Sequence, residues 1–427
     1  MAKNAVELRE ELNKLVTEQR NAFAPYEGKD IPADVKEAFE KREARMTAIE
    51  SLELPLAERE EKAQRSNDQS KYDESRAKED GQTNASLQEK AVSLLKGLSG
   101  SAVVMDLKNG AIVAMASTPG FDGNKFVGGI SENYWRKLIN DPHKPMINKS
   151  LQNSYPPGSV FKIIVALAAM GEGFDPKTKF HCTGGSIVGT DKFKCWYRPG
   201  HGFLDLEQAI SRSCNTYMYH IAKKIGAEPI IKMARKFGLG SMSNVDLPFE
   251  NAGFVPDAEW KMGMFKQPWS LTDSLNISIG QGALLASPLQ LARFCGAIAT
   301  NGKLFTPNVG IRKSDYINID INPEHLKLVQ QGMFNVVNDN KGTAYWHRII
   351  DQDWMFAGKT GTAQVRSNKR NTNEWSSKNH AIFMGYAPFD NPLFSTAVVV
   401  EHGGSGSVAA APIVKELFVE LKNITIN

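Results

Sequence analysis

The sequence predicts a mixed α/β fold in which one antiparallel sheet is flanked by helices. Three observations point there. Strand patterns stand near both ends of the region after residue 87. Mostly helical pattern fills the stretch between them, and strand and helix do not alternate regularly, as a parallel sheet would require. The composition is that of a globular chain: 427 residues, 41% apolar and 23% charged, which excludes a wholly disordered, fibrous or collagen-like protein. A formal net charge of +4 gives no indication of a nucleic-acid partner. Four Cys are too few for a disulfide scaffold. The longest apolar run, Ile163 to Met170, is far short of a membrane span, so the sequence is read as having neither a transmembrane helix nor a signal peptide.

Charge divides the chain. Residues 1–90 hold 16 Lys/Arg and 21 Asp/Glu, whereas the remaining 337 hold 35 and 26, a net +9. Leu8, Leu12 and Leu15, then Val35, Phe39, Met46 and Ile49, form helical stripes with charges on the other faces. This reads as a charged helical arm over 1–63, an amphipathic hairpin or coiled coil. Ser, Asn, Asp, Gln and Lys dominate 64–86, which reads as a flexible linker. The globular domain is expected over 87–427.

Within that domain each element has its signal. Leu87, Ala91, Leu94 and Leu95 predict a helix over 87–98. Ala102 to Leu107 and Ala111 to Ala116 flank Asn109-Gly110, which predicts a hairpin with a type I′ turn, positive φ at both centres. His380 to Ala387 and Phe394 to Glu401 are two later strands. Ile163 to Met170 reads as a buried helix, and Cys295 in Leu291 to Ile298 as a core residue.

Three short motifs carry chemistry. In Tyr155-Pro156-Pro157-Gly158-Ser159-Val160-Phe161-Lys162, Ser159 stands at the start of the buried helix and Lys162 one turn on. A serine hydroxyl needs a base, and a lysine among apolar side chains gains access to its neutral form. In Ser213-Cys214-Asn215, Ser213 could relay a proton and Asn215 could bind a substrate amide; the plainer alternative is a helix N-cap. In Lys359-Thr360-Gly361-Thr362, on a predicted edge strand, the lysine gives positive charge, the hydroxyls can bind a carboxylate and Gly361 admits a substrate backbone. The plainer alternative is a strand end with an exposed lysine.

Together and in this order, the three motifs resemble those of penicillin-binding proteins and class A β-lactamases. With Asn276-Ile277-Ser278-Ile279-Gly280-Gln281-Gly282, Ser287 to Ala292 and Ala357 to Gln364, residues 87–420 resemble the transpeptidase domain of class B penicillin-binding proteins, on the elongation branch. The resemblance implies a serine D,D-peptidase/β-lactamase-like fold with an all-helical subdomain. It implies that Lys162 deprotonates Ser159, which attacks the D-Ala–D-Ala bond of a peptidoglycan stem. Backbone N–H groups of Ser159 and Thr362 would form the oxyanion hole, and a second stem would resolve the acyl-enzyme into a 4→3 crosslink. β-Lactams would acylate the same serine. No catalytic cofactor is implied. The implied partners are a glycosyltransferase and other elongation-complex proteins, and the implied location is the periplasmic face of the bacterial inner membrane. Family members carry a membrane helix and a pedestal domain where this chain has its charged segment, and residues 1–60 weakly resemble the N-terminal arm of tailed-phage capsid proteins. A serine β-lactamase or D,D-carboxypeptidase, a non-catalytic β-lactam sensor and an assembly protein are the rival functions.

Cys182, Cys195, His201 and Cys214 fall within 33 residues, a set suited to a structural zinc. The segment between them has little to bury, and a metal could hold it in place. A Cys182–Cys195 disulfide and free thiols are the alternatives.

Overall fold

The computed structural model describes residues 85–426 except 189–190, 310–314 and 366–374, together with ten residues of the N-terminal part. The chain falls into two units, Met1–Asp80 and Gly81–Asn427. In the first unit Glu7, Leu8, Glu11, Lys14, Leu15, Glu18, Glu37, Ala38, Lys41 and Arg45 are all helical. Leu8 is buried. Arg45 Nε donates to Glu11 Oε1 at 3.1 Å, which ties the two helical stretches together. The remaining stripe residues, Leu12, Val35, Phe39, Met46 and Ile49, lie outside the described residues, as does 64–84 of the expected linker.

The second unit opens with a helix over 85–94 (α1). It starts inside the stretch read as linker and stops four residues before the expected end. The chain then turns through Gly97, at φ 79°, which ends the helix. The hairpin follows as β1 (Gly100–Asp106) and β2 (Ile112–Thr118). Its turn is not type I′, because only Gly110 has positive φ. The Asn109 carboxamide instead accepts from the Ala111 N–H at 2.9 Å, and Gly110 N–H donates to Asp106 O at 2.9 Å, closing a wider loop.

After α2 (Glu132–Asn140) comes α3 (Lys162–Gly171), which starts the helical subdomain. Four short strands follow: β3 (Phe180–Cys182), β4 (Gly185–Val188), β5 (Asp191–Lys194) and β6 (Gly202–Leu204). The helices α4 (Leu206–Ser211), α5 (Asn215–Ile225), α6 (Glu228–Lys236), α7 (Ala258–Phe265), α8 (Leu271–Ile277) and α9 (Pro288–Ala299) come next. Then come β7 (Lys303–Phe305), β8 (Tyr316–Asn318) and α10 (Pro323–Asn338). The ribbons β3–β6, β4–β5 and β7–β8 are additions that the sequence did not signal, since their strands are three or four residues long. The chain closes with β9 (Ala357–Ala363), β10 (His380–Ala387), β11 (Phe394–Val400) and α11 (Ala411–Ile426).

The main sheet has the order β2-β1-β11-β10-β9, antiparallel throughout, so the two ends of the unit pair with each other. Strand alternation splits its side chains between two cores. Val103, Met105, Ile382, Met384, Ala397 and Val399 pack toward α3, α5 and α9. Ala102, Val104, Phe383, Val398 and Val400 pack toward α1 and α11. Both faces are dry, and each fully buried Val, Ile or Phe contributes roughly 1.5–3 kcal/mol. That rigid sheet presents β9 at its edge, as the sequence predicts.

Candidate active site

The site forms where a helix start meets the free edge of β9. Pro156-Pro157 ends the preceding segment, a 3₁₀ turn spans Gly158–Phe161, and α3 begins at Lys162. The Lys162 N–H donates to Ser159 O, so the two side chains stand one turn apart. Gly158 has φ 56° and donates to Gly280 O at 2.9 Å. A Cβ there would lie 2.6 Å from Thr362 O, and a Cβ on Gly280 would collide with Gly158 O. Two glycines therefore let the Ser159 turn, the 276–282 loop and β9 meet backbone to backbone.

Lys162 is fully buried in an otherwise apolar helix. Its Nζ donates to Ser213 O (2.7 Å), Ser213 Oγ (3.2 Å) and Asn215 Oδ1 (2.5 Å). Burial pulls its ammonium down to about 8, against a smaller upward pull from the three nearby cysteine sulfurs. A neutral amine is therefore within reach at ordinary pH. Ser213 is held at φ 54°, a conformation that costs a non-glycine residue roughly 1–3 kcal/mol, and this turns its carbonyl and hydroxyl onto Lys162. The N-cap alternative does not hold: Cys214 caps α5 without a side-chain bond. Asn215 instead spans Lys162 and Lys194 O, the latter at 3.2 Å.

On β9, Lys359 is buried rather than exposed, and its Nζ donates to Thr360 O at 3.2 Å. Burial holds its pKa well below the ordinary lysine range, and Lys162 pushes the same way. Thr360 Oγ1 lies 2.7 Å from Thr343 Oγ1. Ser159, Ser213, Asn215, Thr360, Gly361 and Thr362 line one cleft of about 480 Å³. The same cleft includes Trp196, Arg198, Gln281, Thr343, Gln364 and Asn379, none of which was singled out as a site residue from the sequence. Trp196 Nε1 donates to Ser213 O at 3.0 Å, and Gln281 Nε2 donates to Thr362 O at 3.2 Å. Gln281 stands inside the Asn276–Gly282 motif, which was the one signal available for it.

Behind Asn215, the ligand atoms of Cys182, Cys195, His201 and Cys214 lie within 4.8 Å of one another. His201 Nδ1 is 3.5 Å from Cys182 Sγ and 3.6 Å from Cys195 Sγ. A tetrahedral zinc with ordinary Zn–S and Zn–N bonds gives an S···N edge of about 3.6 Å, so the donor set fits that metal. None of the four cysteines is in a disulfide, and Cys295 lies buried apart in α9. Mutual hydrogen bonding favours thiolate at Cys182 and Cys195, while Cys214 holds its proton. His201 Nε2 is buried with no hydrogen-bond partner.

This sheet, helical subdomain and serine–lysine cleft define the serine D,D-peptidase class of fold. Residues 100–419 match the penicillin-binding protein transpeptidase domain, and the chain belongs to that family. It is 36% identical over 352 residues to peptidoglycan D,D-transpeptidase MrdA of Haemophilus influenzae, covering 78% of this chain and 54% of the relative. The corresponding protein of Escherichia coli K12 is 31% identical over 341 residues, covering 75% and 54%. The chain thus spans about half the length of the curated relatives it matches. Among solved structures, Helicobacter pylori PBP2 in complex with MreC aligns with a TM-score of 0.75 and 34% identity, over 80% of this chain and 63% of that one. Pseudomonas aeruginosa PBP2 in complex with WCK 5153 gives 0.70 and 34%, over 78% and 73%. No helix among the described residues is long and apolar enough to cross a membrane.

Proposed function

We propose that this chain is a peptidoglycan D,D-transpeptidase that works through a serine acyl-enzyme. The observation that carries the proposal is the buried Lys162 amine, gripped by Ser213 and Asn215 beside the cleft that Ser159 lines. Lys162 takes the Ser159 proton, and the alkoxide attacks the penultimate D-Ala carbonyl of a stem peptide. The N–H groups of Ser159 and Thr362 hold the oxyanion. Asn215 binds the stem amide, and Thr360, Gly361 and Thr362 receive the terminal carboxylate, with Lys359 buried behind them. Ser213 returns the proton to the leaving D-Ala amine, and an amine of a second stem then displaces Ser159 to give the 4→3 crosslink. β-Lactams acylate the same serine.

Intact-protein mass after incubation with benzylpenicillin tests this directly. One adduct is expected on the wild-type chain and none on Ser159→Ala; labelling that persists at another serine overturns the assignment. A persistent adduct separates a transpeptidase from a β-lactamase, which would clear it. The elongation-complex partners and the periplasmic location belong to the same proposal, supported by likeness to an H. pylori PBP2 solved with MreC.

We further infer that Cys182, Cys195, His201 and Cys214 hold one structural zinc. The metal would fix the loop behind Asn215 and take no part in acyl transfer. Protein purified without chelator should carry one equivalent, lost together with thermal stability in His201→Ala. Under a tenth of an equivalent, with a Cys182–Cys195 disulfide in the peptide map, ends the idea.

A further inference from the structure

A basic side pocket shares one lining residue, Arg198, with the cleft. In β5 the strand alternation puts Lys192 and Lys194 on one face, while Phe193 on the other packs its ring 5.5 Å from Tyr219. Lys194 O accepts from Asn215 Nδ2 at 3.2 Å and from Tyr219 Oη at 3.4 Å, which fixes the strand end to α5. Trp196 Nε1 donates to Arg212 O and Ser213 O at 3.1 and 3.0 Å. Segment 194–198 is thereby laid along the wall that carries Asn215. Gly184, at φ 91°, admits the Arg198 carbonyl so closely that a Cβ would collide with it, so the backbone under Arg198 is set by close packing.

Arg198 lines two cavities at once. One is the catalytic cleft; the other, of about 320 Å³, is lined by Lys192, Lys194 and the 183–187 segment. Neither cavity is lined by an Asp or Glu. Among the described residues no carboxylate pairs with Lys192, Lys194 or Arg198. Three solvent-exposed cations with no carboxylate partner among the described residues, around a concavity that shares Arg198 with the cleft, suit an anionic part of the substrate. Arg198 can take a carboxylate through two parallel N–H bonds, and the lysines add point charge.

We propose that Arg198, with Lys192 and Lys194, forms a second anion subsite for a carboxylate that the donor stem carries upstream of its D-Ala–D-Ala terminus. The proposal rests on the transpeptidase reading, which fixes the direction of the peptide. With its terminal carboxylate at Thr360 and Thr362 and its reacting carbonyl at Ser159, the donor runs past Asn215, and Arg198 lines the same cleft. The acidic and diamino-acid residues of a stem supply a carboxylate in that stretch.

Binding to the full-length Ser159→Ala chain, measured by calorimetry, tests this without turnover. The probes are L-Ala-γ-D-Glu-meso-diaminopimelate-D-Ala-D-Ala and the same peptide with both upstream carboxylates converted to primary amides. The charged peptide should bind about tenfold more tightly, equivalent to ~1.4 kcal/mol. That advantage should shrink with added salt. It should vanish in Ser159→Ala/Arg198→Ala, fall in Ser159→Ala/Lys192→Gln/Lys194→Gln, and survive in part in Ser159→Ala/Arg198→Lys. Equal affinities for the two peptides, or an advantage that persists without Arg198, overturn the subsite. Release of D-Ala from the amidated peptide by the unsubstituted chain tests the transpeptidase reading separately, so each can fail alone.

Discussion

Two lysines share the site and are held in opposite ways. Lys162 has three oxygen partners, two of them side-chain atoms of a neighbouring motif, whereas Lys359 has the carbonyl next to it. Only the first is placed one turn from Ser159, which supports its proposed role as the base. Lys162→Arg keeps the charge but has no neutral form to offer, so benzylpenicillin acylation should fall about 10²–10⁴-fold. A near wild-type rate would move the base elsewhere. On the proposed mechanism the free amine is the active form, and burial pulls its ammonium down to about 8. The acylation rate should therefore climb as pH rises through about 8, dropping about tenfold per unit below it, which stopped-flow acylation would read. Ser159, Lys162 and Asn215 were legible in the sequence because each lies within a few residues of a recognisable helix start. Trp196 and Thr343 were not, because their value comes from partners 17 residues away, and Gln281 was marked only by its motif, its partner Thr362 lying 81 residues on. The depth of Lys359 was illegible for the same reason: a short motif does not reveal what covers it.

At the scale of elements, the proposed nucleophile is positioned by two loops that touch through glycine. Gly280 has φ 69°, and a methyl group on it would strike Gly158 O, one residue before Ser159. Gly280→Ala should cost roughly 1–3 kcal/mol in denaturant unfolding and also slow acylation. Gly173→Ala is the matched control. It has φ 77° but open space around its would-be Cβ, so it should cost only about 1 kcal/mol and leave acylation alone. Equal effects from both would mean that the contact with Gly158 is not what places Ser159. Gly280 stands inside a recognised motif and Gly173 does not, but only the fold tells a contact glycine from a turn glycine. The Asn109-Gly110 hairpin makes a related point. Its existence was legible from the flanking strands, but its turn type was not, because the Asn109 side chain captures the Ala111 N–H.

At the scale of the molecule, the sheet joins the two ends of the Gly81–Asn427 unit, and the ends of β9, β10 and β11 meet beside the cleft. The mixed α/β plan was readable because continuous apolar runs such as Ala381 to Tyr386 mark strands covered on both faces. The polar groups that close the end of the sheet were not, since they assemble from separate segments. Glu401 accepts from Tyr155 Oη (2.8 Å), Asn153 Nδ2 (3.2 Å) and Ser99 Oγ (2.5 Å), tying β11 to the segment that leads into Ser159. Beside it His380 sits at the start of β10. Its Nδ1 accepts from the His402 N–H at 3.0 Å, and its ring lies 4.4 Å from His402 and 5.3 Å from Tyr155. Burial, helped by His402 and opposed by Glu401, pulls its pKa down to about 4 from an ordinary 6.5. The unfolded chain therefore takes up this proton first, near pH 6.5, and the folded chain only near 4. Protons favour unfolding throughout that window, so stability should fall as pH drops from about 6.5 to about 4 and level off below. Full linkage over that interval amounts to about 3 kcal/mol. His380→Gln keeps an acceptor for the His402 N–H but cannot take the proton. Urea unfolding at pH 7, 5.5 and 4.5 should show a shallower acid loss in this variant than in the wild-type chain. Parallel losses in the two proteins would place the acid sensitivity at other groups and leave His380 a packing residue at the sheet end.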